Sequence, residues 1–384
     1  MKLNPQQQFA AFFFLQNLPR GMLLTVIPLQ TYALMGNARD TSALLFAVSI
    51  GGILAALLMP IIIRRIGLYP SYLLSCTAMV LSAGLMSTGD VWIFSLGIFS
   101  HVFAVAAAEV VTSLYVMGRI RRAQMTSFEP LRVLAVVLAL TIGPFLGVYL
   151  MERVLHELPY ILCALFMLAS VGWFRALGLQ NTVVPASRSN SANPLRYLLR
   201  FLRQPRLRLA YGLALARSCW WTMFIIYVPI YAEQSGLGEL TGAAIVSIGT
   251  AWTLSVPLWG WVARTYGVRR LMTLGFGTSS VLSLVVYLAI DTPALASVLL
   301  VISAIGATML DGVGNVLFFR AVRSVERSEM TSVFVTYRDA GQLLTPGVFA
   351  VLLNFFALPV VFVTASMWML ASAGFSRYVP RRMR

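Results

Sequence analysis

Long apolar stretches separated by short polar segments recur along the whole chain. Each stretch is close to the roughly 20 residues that an α-helix needs to cross the hydrocarbon core of a bilayer. Strands of a membrane barrel would be about half as long and would alternate apolar and polar positions. The pattern therefore predicts an all-α membrane protein with about twelve transmembrane helices. We name them spans 1 to 12 in chain order: 9–34, 42–63, 71–88, 91–117, 127–151, 159–174, 209–232, 241–262, 271–290, 295–319, 331–353 and 359–375.

The longest polar segment covers about residues 175–208 and divides six spans from six. It contains several serines and prolines, as expected of a connection outside the membrane. We therefore predict three parts. They are an amino-terminal six-helix bundle at 1–174, a cytoplasmic linker at 175–208 and a carboxy-terminal six-helix bundle at 209–384.

Part of the linker has the pattern of an amphipathic helix. Its apolar positions are Leu195, Leu198, Leu199 and Leu202. Arg196, Arg200 and Arg203 lie on another face of the same helix. Such a segment is typical of a helix on the cytoplasmic leaflet of the membrane. A helix that binds a protein partner is the alternative interpretation.

The composition excludes a soluble domain and the charge distribution orients the chain. Hydrophobic residues make up 59% and charged residues 11%, whereas about a quarter of a soluble domain is charged. With the amino terminus inside, most of the 29 basic residues fall in cytoplasmic segments. The outer segments contain Arg39, Arg153, Asp40, Asp90, Glu152, Glu157, Glu233, Glu239 and Asp291. This positive-inside pattern places both termini in the cytoplasm and explains the net charge of +16 without nucleic-acid binding.

Other sequence features narrow the class of protein. Lys2 is the only lysine, and this strong preference for arginine hints at a GC-rich bacterial genome. We expect the membrane to be the bacterial inner membrane. The first 35 residues lack a small-residue cleavage site after a short apolar region, so we expect no cleaved signal peptide. The cysteines lie inside spans, and no metal-ligand spacing, nucleophile arrangement or phosphate-binding glycine loop appears. We expect no metal, no cofactor and no enzymatic activity.

The two halves of the chain repeat short patterns at equivalent places. The matches are Ser49-Ile50-Gly51 with Ser247-Ile248-Gly249, and Met125-Thr126-Ser127 with Met330-Thr331-Ser332. Spans 4 and 10 also place an acid, Glu109 and Asp311, near the middle of the membrane. Internal repeats of transporters appear as weak symmetry of this kind. The sequence therefore predicts two related halves.

A glycine and proline motif in span 5 points to a family. Gly143-Pro144-Phe145-Leu146-Gly147 resembles the G-P-x-x-G motif of drug and proton antiporters, and Thr345-Pro346-Gly347 is a looser echo in span 11. With six plus six spans and a long central loop, the whole chain resembles the major facilitator superfamily. The resemblance implies two pseudo-symmetric six-helix bundles and favours export. Close helix packing through glycine and a kink at proline, without any exporter function, is the alternative.

The loops after spans 2 and 8 differ from the pattern of this family. The family usually has G-x-x-x-D-x-x-G, and its aspartate helps to latch the cytoplasmic side of the protein. The two copies here are Pro60, Arg64 and Gly67, and Gly260, Arg264, Gly267, Arg269 and Arg270. Arginine replaces the aspartate in both copies, so a latch would need a different partner. One hypothesis is that Glu326 or Glu329 supplies the opposite charge for Arg64 or Arg264.

Ionisable residues inside the spans are the candidate functional groups. A charge at the bilayer centre costs between about 3 and 17 kcal/mol, so such groups normally face a bundle interior or a watery cavity. Arg20 and Arg217 lie near the middle of spans 1 and 7, while Glu109 and Asp311 lie in spans 4 and 10. The resemblance implies that these four spans line a central cavity, where the four side chains would meet. Permanent arginine–carboxylate pairs that only fix helix packing are the alternative.

The charges suggest individual roles. Glu109 and Asp311 are candidate proton carriers, and Asp339 is a third. Desolvation favours the neutral form of a buried carboxyl group, whereas a nearby guanidinium favours the charged form. The candidates for binding a substrate are Arg20, Arg217, Trp220, Trp221, Asn315, Arg338 and Gln342. The two tryptophans have core packing or lipid contact as an equal alternative.

These observations predict a monomeric secondary transporter for a small organic solute, anionic or zwitterionic, that works by alternating access. Buried arginines suit a carboxylate, phosphate or sulfonate group. Proton-coupled export is the leading hypothesis, because solute and proton would compete for one site. An uptake symporter or a facilitator of the same fold is one rival. A non-transporting scaffold or sensor is the other, and it would tolerate neutralisation of Glu109 and Asp311 together.

Overall fold

The computed structural model is helical in all twelve predicted spans. It describes residues 5–119, 122–176, 178, 194–322 and 327–379. Within these ranges the side chains of 5–6, 117–127, 129, 194–197, 327–329 and 332 are not described. Two sequence proposals therefore lie outside the described residues: the Met125–Ser127 part of the repeat, for its side chains, and the latch involving Glu326 or Glu329.

The first six spans are each one continuous helix. Their bounds are Pro5–Met35, Ala38–Ile66, Leu68–Met86, Val91–Arg119, Arg122–Arg153 and Leu158–Ala176. Among the described residues, eleven segments are long and apolar enough to cross a membrane. The twelfth prediction, span 11, is divided into two shorter helices. An all-α membrane protein is thereby confirmed.

Three spans of the second half are interrupted. Spans 7, 9 and 12 are the single helices Pro205–Gln234, Val268–Leu288 and Val360–Phe375. Span 8 consists of Glu239–Ala251, the 3₁₀ turn Trp252–Ser255 and Val256–Tyr266; span 10 of Pro293–Asp311 and Val316–Ala321; span 11 of Arg327–Phe334 and Tyr337–Leu352. A short helix, Pro194–Leu202, precedes span 7.

Local sequence accounts for the interruptions. Pro257 lacks an amide hydrogen and crowds the preceding turn, so span 8 leaves the α-helical form just before it. Gly312 and Gly314 follow the end of the first helix of span 10, where glycine lowers helix stability. The break in span 11 falls at Val335 and Thr336, two β-branched residues with low helix propensity. Interrupted helices inside a membrane are tolerated where they line a cavity or lie within protein.

The chain divides into two compact units, residues 1–187 and 188–384. Their boundary lies inside the predicted linker, and the short helix Pro194–Leu202 belongs to the second unit. Each unit carries the same connection between its second and third spans. Gly67 and Gly267 join consecutive helices with φ angles of 91° and 93°, and each amide donates to a carbonyl four residues earlier at 2.9 Å. A positive φ favours glycine, so these matched turns agree with the repeated sequence pattern.

Spans 1 and 5 touch through their backbones at the glycine and proline motif. A Cβ added to Gly143 would lie 2.6 Å from the Cα of Gly21 and 2.7 Å from the amide nitrogen of Met22. A Cβ on Gly147 would also overlap Met22. The Thr25 hydroxyl donates to the carbonyl of Pro144 at 3.1 Å. The motif thus places two helices in direct contact, which is the packing role of small residues in membranes.

Spans 7 and 11 make a related contact in the second unit. A Cβ on Gly341 would lie 2.7 Å from the Cβ of Ser218. The Thr345 hydroxyl donates to the carbonyl of Cys219 at 3.4 Å, and the neighbouring Pro346 is buried. In both units, therefore, a threonine hydroxyl donates to a backbone carbonyl of the opposing helix. The proline of the motif lies at this contact in each case.

Replacing Gly143 by alanine tests the contact between spans 1 and 5. Gly143→Ala forces these helices apart, and we expect a loss of about 1–3 kcal/mol in the free energy of unfolding. The measurement is the unfolding temperature of purified protein in detergent. Gly172→Ala is the matched control, because a Cβ there meets nothing within 4 Å and alanine is the better helix former by about 1 kcal/mol. Equal unfolding temperatures for the two variants would contradict the packing role.

Candidate solute and proton site

The first unit contains an ion pair in the middle of two spans. Arg20 lies near the centre of span 1, and its Nη1 is 3.5 Å from Oε2 of Glu109 on span 4. The arginine side chain is 33% exposed and the glutamate side chain 60% exposed. A carboxylate this accessible at mid-span needs water or polar groups around it. Arg20 and Glu109 are therefore joined by a single nitrogen–oxygen contact, and both side chains are accessible within the membrane region.

Two further polar side chains lie on the same two spans as the pair, each with a buried polar atom. Gln16 lies one helical turn before Arg20, and its Oε1 is buried with no hydrogen-bond partner among the described residues. His101 lies two turns before Glu109 on span 4, and its buried Nδ1 also lacks a partner in this part of the structure. Sequence reasoning assigned neither residue. The i, i+4 spacing of Gln16 and Arg20 is a signal that would have found the glutamine.

Thr112 and Ser113 follow Glu109 at helical spacing, and the sequence predicts that they share a polar face with it; in the structure that face is smaller. Ser113 is exposed one turn after Glu109. Thr112 is buried, and its hydroxyl donates to the carbonyl of Ala108 at 2.7 Å. Threonine commonly bonds to its own helix in this way. Only Ser113 of these two hydroxyl groups is thus accessible beside the carboxylate.

The equivalent pair in the second unit is enclosed. Nε of Arg217 is 3.4 Å from Oδ1 of Asp311, and the two side chains are 8% and 25% exposed. Nη1 of Arg217 donates to the carbonyl of Leu310 at 3.1 Å, and Nη2 donates to the Tyr337 hydroxyl at 2.9 Å. The indole of Trp221 donates to Oδ2 of Asp311 at 3.1 Å. Every nitrogen of the guanidinium and both carboxylate oxygens therefore have a partner.

The interruptions of spans 10 and 11 make room for this guanidinium. The helix of span 10 ends at Asp311, and the Leu310 carbonyl accepts from Arg217 at 3.1 Å as well as from the amide of Val313 at 3.3 Å. A Cβ on Gly314 would overlap the guanidinium, so glycine leaves room for Arg217 in this position. Tyr337 begins the second helix of span 11 with its ring 5.5 Å from the Arg217 guanidinium carbon. The ends of the interrupted helices thus supply groups that bind Arg217.

Tyr337 also contacts the neighbouring arginine. Nε of Arg338 donates to the Tyr337 hydroxyl at 3.3 Å, and its guanidinium carbon lies 5.8 Å from the ring centre. Two guanidinium groups therefore share one phenol. Sequence reasoning gave Tyr337 no role, because that role depends on Arg217, 120 residues away in the chain.

The remaining predicted residues divide between surface and core. Asn315, Arg338, Asp339 and Gln342 are exposed. Trp220 is fully buried, donates to the Ser283 hydroxyl at 3.2 Å and stacks on Phe224 at 5.1 Å. Its position favours the packing alternative, whereas Trp221 contacts the charged pair.

Gly260 of the loop motif after span 8 makes a packing contact. A Cβ on Gly312 would lie 3.3 Å from the amide nitrogen of Gly260, so spans 8 and 10 approach closely there. Arg264 is exposed in the last turn before Gly267. The described residues contain no group of three or more side chains that would hold a metal ion.

The two ion pairs occupy equivalent places but differ in character. Glu109 is as far from Val91, where its span begins, as Asp311 is from Pro293. The sequence predicted that all four charged residues meet; the structure pairs them within each unit. The first pair has one accessible contact, and the second is a closed network.

Conservative replacement of each arginine tests this difference. Arg217→Lys keeps the charge but removes donors, and a buried acceptor left without a partner costs about 1–3 kcal/mol. Arg20→Lys keeps a single exposed contact whose contribution is within about 1 kcal/mol. We expect a clear fall in the unfolding temperature for Arg217→Lys and little change for Arg20→Lys. Equal falls would mean that the two pairs are energetically alike.

Solved structures of transporters have folds similar to that of this chain. A nucleoside transporter, NupG, superposes with a TM-score of 0.78 at 15% identity and covers 98% of both chains. The peptide transporter POT in complex with sulfate gives 0.74 at 16% identity, covering 99% of this chain and 95% of the other. A POT family transporter in complex with 5-aminolevulinic acid gives 0.73 at 13% identity, covering 96% and 95%.

The family assignment comes from the sequence. No curated protein matches the chain. A family model described as Major Facilitator Superfamily matches residues 9–346, which include most of both units. The family and the structural neighbours are transporters and not enzymes. The chain therefore belongs to the Major Facilitator Superfamily and is a multi-pass membrane transport protein.

Proposed function

We propose that this protein is a secondary active transporter that moves a small organic anion or zwitterion by alternating access, coupled to protons at the Arg20–Glu109 pair. The observation that carries the proposal is an accessible ion pair at mid-span with a single contact of 3.5 Å. The proposal includes action as a monomer in a bacterial inner membrane with both termini cytoplasmic.

Energetics favour the first pair as the one that opens during transport. An exposed ion pair contributes about 0–1 kcal/mol, so separating Arg20 from Glu109 costs little. Removing one partner of a buried pair costs about 3–5 kcal/mol. Arg217 and Asp311 are therefore expected to stay together and to hold spans 7, 10 and 11 in place.

Protonation of Glu109 would link the solute to the proton. A proton on Glu109 removes the negative charge that neutralises Arg20. Arg20 then has a guanidinium available for a carboxylate, phosphate or sulfonate, which it binds with two parallel hydrogen bonds. An anionic group and a proton would thus occupy the site together. This arrangement favours cotransport, the uptake alternative, for an anionic solute.

Export is the second candidate. The Gly143–Gly147 motif favours it by resemblance to drug and proton antiporters. In that case a positively charged group of the solute would compete with the proton for Glu109. The motif packs span 5 against span 1, a contact that suits either direction of transport.

The second unit would contribute to binding without exchanging protons at its buried pair. Trp221 presents an indole beside Asp311, and Arg338, Gln342 and Asn315 have exposed polar groups. These side chains are proposed contacts for the rest of the solute. Asp339 is the proposed additional proton carrier, because it is exposed in the first turn of its helix. Trp220 is left out because it is fully buried.

Ligands of the structural neighbours agree with an anionic or zwitterionic solute. The POT structures contain sulfate in one case and 5-aminolevulinic acid in another. Both molecules carry an anionic group. At 13–16% identity these likenesses define the fold, so the solute has to be found by experiment. A thermal-shift screen of carboxylates, phosphates, sulfonates, nucleosides and peptides, repeated on Arg20→Ala, would identify it.

Glu109→Gln tests the coupling once a solute is known. The glutamine keeps the size of the side chain but cannot carry a proton. In proteoliposomes, we expect the variant to exchange solute across the membrane but not to accumulate it in response to a pH gradient. Glu233→Gln, an exposed acid at the end of span 7, is the control that should behave like the wild type.

The same assay separates the rival functions. Accumulation driven by a gradient that is acidic outside indicates cotransport, whereas extrusion driven by the same gradient indicates export by antiport. Accumulation by Glu109→Gln at the wild-type rate would contradict the proposed coupling. Absence of any solute movement by the wild-type protein, together with unchanged stability of a Glu109→Gln and Asp311→Asn double variant, would favour the scaffold or sensor.

A further inference from the structure

The short helix before span 7 is fixed to the second unit by an aromatic side chain. Phe201 is fully buried and its ring meets the ring of Tyr211 edge-on at 5.9 Å. The amides of Leu207 and Arg208 both donate to the carbonyl of Gln204 at 3.0 Å, so the connection to span 7 is a bonded turn. The helix Pro194–Leu202 therefore has a defined place at the start of a transmembrane helix.

The opposite side of this helix carries exposed apolar groups. Leu198, Leu199 and Leu202 are all exposed, and their i, i+1 and i+4 spacing puts them on one face. The adjoining residues Arg203 and Arg206 are exposed as well. Leucines and guanidinium groups thus lie side by side over a few residues.

This combination matches one partner. Acyl chains cover exposed leucines, and lipid phosphates accept hydrogen bonds from guanidinium groups. The segment directly precedes Pro205, where span 7 begins, so it lies near the headgroup region. Each cationic side chain near an anionic leaflet gains about 1 kcal/mol. Charge complementarity therefore favours anionic phospholipid over a neutral lipid or a soluble protein.

We propose that the surface formed by Leu198, Leu199, Leu202, Arg203, Arg206 and Arg208 is a docking site for anionic phospholipid of the cytoplasmic leaflet. The leucines contact the acyl chains and the arginines bind the phosphates. Phe201 holds the helix in the orientation that presents this surface. The site is independent of the proposed transport mechanism.

A fluorescent probe at residue 199 tests the proposal on the full chain. The native cysteines Cys76, Cys163 and Cys219 are buried, so Leu199→Cys provides one accessible thiol for labelling. The labelled protein is reconstituted into vesicles of phosphatidylcholine with phosphatidylglycerol, with bromine on the chains of one lipid or the other. Brominated phosphatidylglycerol is expected to quench the probe more strongly than brominated phosphatidylcholine.

Arginine replacement separates a specific surface from general charge. Arg203→Gln with Arg206→Gln should remove the preference for phosphatidylglycerol. Arg65→Gln with Arg377→Gln removes the same charge at other exposed cytoplasmic positions and should keep it. If the first double variant does not fold, salt provides the second measurement, because screening should weaken the preference in the wild type.

Three results would overturn the proposal. Equal quenching by the two lipids would show apolar contact without recognition of the anionic headgroup. Loss of preference in both double variants would show a general charge effect. Absence of quenching by either lipid would mean that water or a protein partner faces this helix.

Discussion

An ionised side chain at the centre of a bilayer has to be paired or hydrated, and the arrangement of this protein follows from that constraint. Each half of the chain carries one arginine and one acid at equivalent mid-span positions. Arg20 meets Glu109 and Arg217 meets Asp311. The helices that carry these residues are otherwise largely apolar, so the charged pairs are the candidates for binding ions or exchanging protons. The two halves of the fold thus each contain one charge pair at an equivalent position.

The two pairs satisfy the constraint in different ways. Arg217 and Asp311 do so through protein groups, because Leu310, Tyr337 and Trp221 complete their hydrogen bonds. That solution occurs where helices are interrupted: the first helix of span 10 ends beside the Leu310 carbonyl, and the second helix of span 11 begins at Tyr337. Continuous helices surround Arg20 and Glu109, and exposure takes the place of protein partners. An enclosed pair stabilises structure, whereas an accessible pair can exchange partners, and this is the physical basis for the division of roles.

Much of the architecture follows from local sequence. The features that the sequence did not predict arise from packing between distant residues. Hydropathy over about 20 residues locates every span, because membrane insertion depends on that average. It does not detect breaks such as the one at Thr336, since losing two helical residues barely changes the average. The burial of Trp220 and the role of Tyr337 depend on partners more than 60 residues away, Ser283 and Arg217. Sequence alone therefore found the charged residues but not which pair is enclosed.

The central claim is that Glu109 exchanges a proton while Asp311 remains an ionised partner of Arg217. Infrared spectroscopy of the reconstituted protein measures this most directly, because a protonated carboxyl group has its own carbonyl stretching band. A pH-dependent band is expected in the wild type and in Asp311→Asn, and it should be absent from Glu109→Gln. A band that persists in Glu109→Gln and disappears in Asp311→Asn would contradict the account.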